Sequence, residues 1–160
     1  MQILILYHSG TGTTQKLAEK IAKGAQKTPG TTCLVKSTEE VSENDFISSD
    51  GIIAGSPAYL GSMAAELKSV FDNFIHLRSK MKNKVGAAFS AAAGPGGGAE
   101  TTLLSIIQAL LIYGMIIVDN PEQTAGNYGA VCEGTPDEKT LEKALDFGEA
   151  VSQIVKKQCS

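Results

Sequence analysis

The sequence predicts an α/β protein: a three-layer sandwich in which a five-stranded parallel sheet carries helices on both faces. Short apolar runs without alternation recur along the chain, as in strands buried on both sides. Between them lie segments with apolar residues at i, i+3 and i+4, the spacing of helices that cover a sheet. The glycines and hydroxyls gather after particular apolar runs rather than evenly, which marks ligand-approaching loops.

The first run, Ile3-Leu4-Ile5-Leu6-Tyr7, precedes the turn Ser9-Gly10-Thr11-Gly12-Thr13-Thr14. In residues 15–27, Leu17, Ala18, Ile21, Ala22 and Ala25 then recur at helical spacing. Strand, turn and helix together place free N–H groups and a positive dipole end where an anion can be held. The hydroxyls of Ser9, Thr11, Thr13 and Thr14 stand among those amides, and no Lys or Arg precedes Lys16. A bare helix cap needs one hydroxyl; a phosphate wrapped by neutral donors uses several. Two other phosphate loops fail on Gln15. It stands where G-x-x-x-x-G-K-[ST], counted from Gly10, needs its second glycine, and where G-x-G-x-x-G needs its third.

Thr28-Pro29-Gly30 stops the first helix, and Cys33-Leu34-Val35 makes a short second strand. Residues 36–49 carry Val41, Phe46 and Ile47 among polar neighbours, a crossover with room for a short helix only. The third strand is Asp50-Gly51-Ile52-Ile53-Ala54-Gly55-Ser56. The turn Pro57-Ala58-Tyr59-Leu60-Gly61-Ser62 then leads into a long amphipathic helix reaching about Arg78, with Leu67, Val70, Phe71, Phe74 and Ile75 on its apolar side. The fourth strand spans residues 84–90. It opens onto the most glycine-rich loop, Ala91-Ala92-Ala93-Gly94-Pro95-Gly96-Gly97-Gly98. A strongly apolar helix over residues 100–113 ends at Gly114, and Met115-Ile116-Ile117-Val118 is the fifth strand. Residues 119–135 lack periodicity, hold Pro121, Gly126, Gly129 and Gly134, and are expected to form a long loop. Thr135-Pro136-Asp137-Glu138 reads as a helix start with Thr135 as cap and Pro136 at the first helical position. The last helix is expected to bury Leu141, Leu145, Gly148, Val151 and Val155.

The loops after strands one, three and four lie at carboxyl ends, where open α/β sheets bind ligands. For the first and third strands to share a ligand they must be neighbours, which gives the order 2-1-3-4-5. One domain over 1–160 is expected, since a chain of this length buries roughly 70% of its unfolded surface. A net charge of -3 argues against nucleic acid as a partner. Cys33, Cys132 and Cys159 are odd in number, far apart and without C-x-x-C, so they read as reduced thiols of a cytoplasmic protein rather than metal ligands. No apolar run approaches the ~20 residues of a membrane span, and no signal peptide is visible. No catalytic acid–base pair or nucleophile stands out. His8 adjoins the first turn but equally suits a strand end pointing away, and His76 suits a helix C-terminus. Asp45 and Asp50 precede the third strand, at the wrong end for a phosphoryl acceptor, and no C-x5-R follows the first strand.

With this order and these loops, the sequence resembles the flavodoxin superfamily over essentially its whole length. Residues 7–14 are similar to its phosphate loop [ST]-x-T-G-x-T, with Ser9, Thr11, Gly12 and Thr14 in the fixed places and Gly10 in the variable one. Later pieces resemble one branch, the WrbA-type NAD(P)H:quinone oxidoreductases. Residues 55–63 are similar to G-[ST]-P-T-x-x-G-x-M, Phe89-Ser90 with residues 94–100 to a loop ending G-x-G-G-G-x-E, and residues 113–118 to H-G-M-x-I-V. Ala58 replaces a threonine of that branch, Tyr59 sits where an arginine is common, and Tyr113 stands where a histidine lies near the flavin pocket. Residues 119–133 are fewer than their counterparts there.

The resemblance implies a flavodoxin-like fold and FMN, bound by Ser9, Gly10, Thr11, Gly12, Thr13 and Thr14 at its phosphate. Pro57, Ala58, Tyr59, Leu60 and Gly61, and Ala91, Ala92, Ala93, Gly94, Pro95, Gly96 and Gly97, are its expected contacts at the ring. Tyr59 is placed either to cover a flavin face or to cap the sheet edge. The Gly-rich loop either turns amides to the flavin's pyrimidine end or is a flexible loop without a ligand. Two activities follow from the resemblance: reduction of quinones or similar acceptors by NAD(P)H in a possible homo-oligomer, or flavodoxin-type shuttling of single electrons between protein partners. Few aromatics and the small net charge favour the reductase.

Overall fold

In the computed structural model, which describes residues 1–119 and 127–159, the apolar runs assemble as a parallel sheet. β1 (Gln2–Tyr7) lies between β2 (Thr32–Ser37) and β3 (Gly51–Pro57), with β4 (Val85–Ala92) beyond β3. The next position is shared by two short strands. β5 (Ile116–Ile117) pairs with Val85 and Gly86, and β6 (Ala130–Glu133) pairs with β4 from Phe89 to Ala92. The order β2-β1-β3-β4-β5 is the one the sequence predicts.

β6 corrects the expectation of an unbroken long loop. Ala130-Val131-Cys132-Glu133 is too short to show a period, and it becomes a strand through pairing with β4 rather than by local preference. Gly129 permits the approach: a Cβ there would overlap the Ala88 carbonyl oxygen. Residues 120–126 of the expected loop, Pro121 and Gly126 included, lie outside the described residues.

Side chains of β1 alternate between two cores. Ile3, Ile5 and Tyr7 join Ile53 and Phe89 under α1 (Thr13–Ala25) and α6 (Glu138–Cys159). Leu4 and Leu6 join Ile52, Ala54 and Ala88 under α3 (Ala65–Asn73) and α5 (Ala99–Ile112), with Phe46 of α2 (Glu43–Ser48). α1 and α6 touch backbone to backbone. A Cβ on Gly24 would overlap the Leu145 carbonyl, and one on Gly148 the Ile21 carbonyl.

Two helices differ from their sequence reading. The long helix expected to reach Arg78 stops at Asn73; a 3-10 turn over Ile75–Leu77 and α4 (Arg78–Met81) follow. The tighter turn brings Leu77 and Met81 into the core beside Phe74, which meets Phe46 edge-on at 5.2 Å, and leaves Ile75 exposed. At α6 the cap is Asp137, not Thr135: the Thr140 N–H donates to Asp137 Oδ1 at 2.8 Å. The bond holds the Asp137 carboxyl below its usual range. α6 buries Ala144 and Phe147 with Gly148, Val151 and Val155, while Leu141 and Leu145 are half-buried.

Candidate functional site

At the carboxyl ends of β1, β3, β4 and β6 the loops enclose a cleft of about 310 Å³. Its first wall is the turn into α1. Gly12, at φ +90°, is the N-cap, and its carbonyl accepts from the Lys16 N–H at 3.0 Å. Ser9 Oγ accepts from the N–H groups of Gly12 and Gln15 at 3.1 and 3.3 Å, closing the turn on itself. Among the described residues, the Thr11, Thr13 and Thr14 hydroxyls and the Gly10, Thr13 and Thr14 amides make no hydrogen bond. α3, α5 and α6 each carry a glutamate in the first turn, whereas α1 carries no acidic residue there. Its dipole and free amides therefore face the cleft uncompensated.

The second wall follows β3. Buried Ser56 donates to the Pro57 carbonyl and accepts from the Ala64 N–H, both at 2.8 Å, and the Ala58 N–H donates to Ala91 O at 2.8 Å. Tyr59 and Ser62 exchange backbone bonds of 3.0 and 3.1 Å across Leu60 and Gly61. Both turn residues have positive φ, 51° and 76°, the type I′ pattern. The turn leaves Leu60 fully exposed and brings Tyr59 toward the first loop, where a Cβ on Gly10 would lie 2.7 Å from the Tyr59 hydroxyl.

Ala91, Ala92 and Ala93 form the third wall. The glycines beyond them fold back on the protein: Gly97 N–H donates to Gly94 O at 3.0 Å, and Gly96 N–H to Glu133 Oε1 at 3.3 Å. Gly98, at φ +84°, caps α5, and a Cβ on it would lie 2.9 Å from Gly61 Cα. The loops after β3 and β4 thus meet backbone to backbone.

The cleft brings together Gly10, Thr11, Thr13, Thr14, Pro57, Ala58, Tyr59, Ala91, Ala92 and Ala93 of the residues expected from the sequence. Ser9, Gly12, Leu60, Gly61, Gly94, Pro95, Gly96 and Gly97 are not part of its lining. Gly134 and Thr135 line it instead, unforeseen from the sequence. The signal was present, since Thr135-Pro136-Asp137 holds two cap residues for one helix and Asp137 takes the cap.

The family model for NADPH-dependent FMN reductases matches residues 1–130. The chain belongs to this family. Among relatives of this FMN reductase-family chain, a flavodoxin from Aquifex aeolicus is 31% identical, covering 96% of this chain and 86% of its own. An NAD(P)H dehydrogenase (quinone) from Archaeoglobus fulgidus is 32% identical over 99% of both chains. The flavodoxin-like WrbA-like protein structure from Agrobacterium tumefaciens superposes with a TM-score of 0.84 at 23% identity, covering 98% of each chain. The chain is thus a flavodoxin-superfamily oxidoreductase that binds FMN.

The cleft fits that cofactor: unpaired amides and hydroxyls at a helix start suit a phosphate, and the small side chains of Ala58, Ala91, Ala92 and Ala93 in its lining leave room for a flat ring. Other residues of the family chain stand at its rim or away from it. Tyr113 ends α5 at the opposite end of the sheet, buried, its hydroxyl donating to Phe71 O at 2.6 Å. Burial pushes its phenol pKa far above the ordinary value. This corrects the expectation, drawn from the histidine of the WrbA-type branch, that position 113 adjoins the flavin pocket. His8 stands at the rim, with Nδ1 3.3 Å from Thr38 Oγ1, Nε2 3.7 Å from Glu66 Oε2 and its ring edge-on to Tyr59 at 6.4 Å. His76 Nδ1 bonds Asn73 O at the end of α3, at 3.1 Å. A larger groove of about 470 Å³ runs between α3 and α5 on the helix face, from Ser62 and Met63 at one end to Ile112 and Tyr113 at the other. Among the described residues no group of three or more metal-ligating side chains gathers, and no helix is long and apolar enough to cross a membrane.

Proposed function

We propose that the chain is an NAD(P)H-dependent reductase of quinones or similar two-electron acceptors, with FMN in the cleft between Thr11, Tyr59 and Ala92. Bound FMN supplies the redox chemistry, taking two electrons from the nicotinamide and giving them to the acceptor. The Gly10, Thr13 and Thr14 amides and the Thr11, Thr13 and Thr14 hydroxyls hold its phosphate, while Ser9 keeps the turn closed. Charge-assisted bonds of this kind contribute about 1.5–3 kcal/mol each, so tight binding needs no cationic side chain. Thr135 adds a hydroxyl from the β6 side, and Tyr59 covers one face of the ring.

The observation that carries the reductase reading is the lining of the cleft, where among the described residues Tyr59 is the one aromatic side chain and Ala91, Ala92 and Ala93 are small. A ring flanked by a single aromatic leaves its second face open to a nicotinamide or a flat acceptor. Free, distant thiols and a core built from one sheet suit a single flavin domain over 1–160 working in the cytoplasm. The alternative, a carrier of single electrons between proteins, draws on Leu60, an exposed apolar apex beside the cleft that a protein partner would cover.

Anaerobic titration of the FMN-loaded protein separates the two. Bleaching of the flavin by NADH or NADPH, with turnover when a quinone is added, is the expected result. Flavin that ignores both nucleotides and accepts electrons from dithionite in two separate steps would replace the reductase with the carrier.

A further inference from the structure

Among the described residues, no large hydrophobic side chain is exposed on α1 or α6. The layer on the other side of the sheet differs. Leu104, Leu111 and Ile112 of α5 are 39%, 54% and 64% exposed, and Ile75, just past α3, is 40% exposed. From Thr101 to Ile112 α5 carries no charged residue, although Thr101 and Gln108 also face solvent. A helix on the surface of a monomer keeps charges on its outer side, and one that is apolar all round is covered by something. Beside this ridge runs the groove between α3 and α5. Its charged lining, Lys68 and Asp72, is already paired within α3 at 2.6 Å. A ridge and a groove on one face are what a surface needs to pack against its own copy.

The two ends of the face carry charges of opposite sign. Glu100 stands exposed in the first turn of α5. At the last turn, exposed Arg78 and Lys82 line a hollow with Ile112 and Gly114. Leu104 and Ile112 each lie four residues from Gln108. We infer that the α3–α5 face is the interface of a homodimer whose two-fold axis crosses α5 near Gln108, with the two α5 helices antiparallel. That rotation sets Leu104 level with the copy's Ile112. It also carries Glu100, about 12 Å from the axis, over the end that holds the copy's Arg78 and Lys82. An apolar middle between ends of opposite charge complements itself in this arrangement; a parallel one would set Glu100 on Glu100. An anionic lipid surface would suit the Arg78 end and meet Glu100 at the other.

Sedimentation equilibrium of the full chain between about 1 and 100 µM tests this. Wild type is expected at twice the chain mass. Gln108→Lys meets its own charge at the axis, and Leu104→Lys with Ile112→Lys charges the apolar middle. Each should weaken the dimer at least about tenfold, with cooperative urea unfolding showing that the monomer is folded. Gln108 is an exposed polar position, so its variant keeps the test open if the double variant does not fold. Glu100→Lys alone, or Arg78→Glu with Lys82→Glu, sets like charges at both ends and should weaken the dimer about tenfold. Mixing these two proteins sets opposite charges at both ends and should restore wild-type affinity. Wild type that stays monomeric throughout overturns the inference. So does wild-type affinity in the Gln108 variant, or a mixture that associates no better than its components. A monomeric wild type that floats with anionic phospholipid vesicles gives the face to lipid and overturns it as well.

Discussion

At the amino ends of the strands the protein's charged groups find partners within the protein itself. The Lys84 ammonium donates to Ile47 O and Ser49 O, each at 2.7 Å, and burial pulls its pKa below the ordinary lysine value. The Met1 ammonium bonds Gly30 O, the Gln2 N–H bonds Asp50 Oδ2, and Lys27 pairs with Glu149 at 3.1 Å. At the carboxyl ends, the turn before α1 keeps amides and hydroxyls without partners. Cations close one end of the sheet, and uncharged donors stand ready at the other. The difference assigns stability to the first set and ligand recognition to the second, so substitutions at the two ends should separate cleanly.

The largest effect is expected at the open end. Thr13→Val combined with Thr14→Val keeps shape and removes two phosphate donors. FMN affinity should fall about 10²–10⁴-fold, while the urea midpoint of the flavin-free protein stays near wild type. A stability loss without an affinity loss would dissolve the contrast.

At the closed end Tyr113→Phe does the reverse. It leaves the Phe71 carbonyl buried without its donor, at a cost of about 1–3 kcal/mol, and lowers the thermal midpoint by roughly 2–4 °C per kcal/mol. FMN affinity should not change.

A smaller pair sharpens the contrast within one turn. Asp137→Ala removes the α6 cap and should destabilise the fold by about 1 kcal/mol. Thr135→Ala, two residues away, should leave thermal stability alone and weaken FMN binding by up to about tenfold. Calorimetry and flavin titration on both variants check the division.

The smallest expected effect is a pH dependence. Burial raises the Cys33 thiol from about 9 to about 11. The unfolded chain ionises first, so the thiol's contribution is complete below pH 9 and is lost as pH rises through 11. Cys33→Ala should flatten the fall in urea midpoint across that window.

What the sequence made legible follows from length and pattern. Ile3-Leu4-Ile5-Leu6 needs nothing beyond its own apolarity to announce a buried strand, and the turn from Ser9 to Thr14 carries its donors within a few residues. β6 was hidden because four residues have no period, and only the edge of β4 makes them a strand. Thr135 was hidden for a related reason: a hydroxyl beside a helix start looks like a cap until Asp137 is seen holding the Thr140 amide. The Gly-rich loop misled differently. Its glycines promise amides for a ligand, yet Gly96 and Gly97 donate to Glu133 and Gly94, partners that glycine content does not reveal.

The divided edge strand has a consequence for how this architecture can grow. The chain leaves the sheet at Val118, whose N–H bonds Gly86 O, and returns at Gly129, pressed on Ala88 just along the same strand. Exit and re-entry are both anchored on β4 itself. Doubling such a connection costs only ~0.6 kcal/mol of closure entropy. A longer excursion, or a whole inserted module, can be spliced there without displacing a single rung of the ladder.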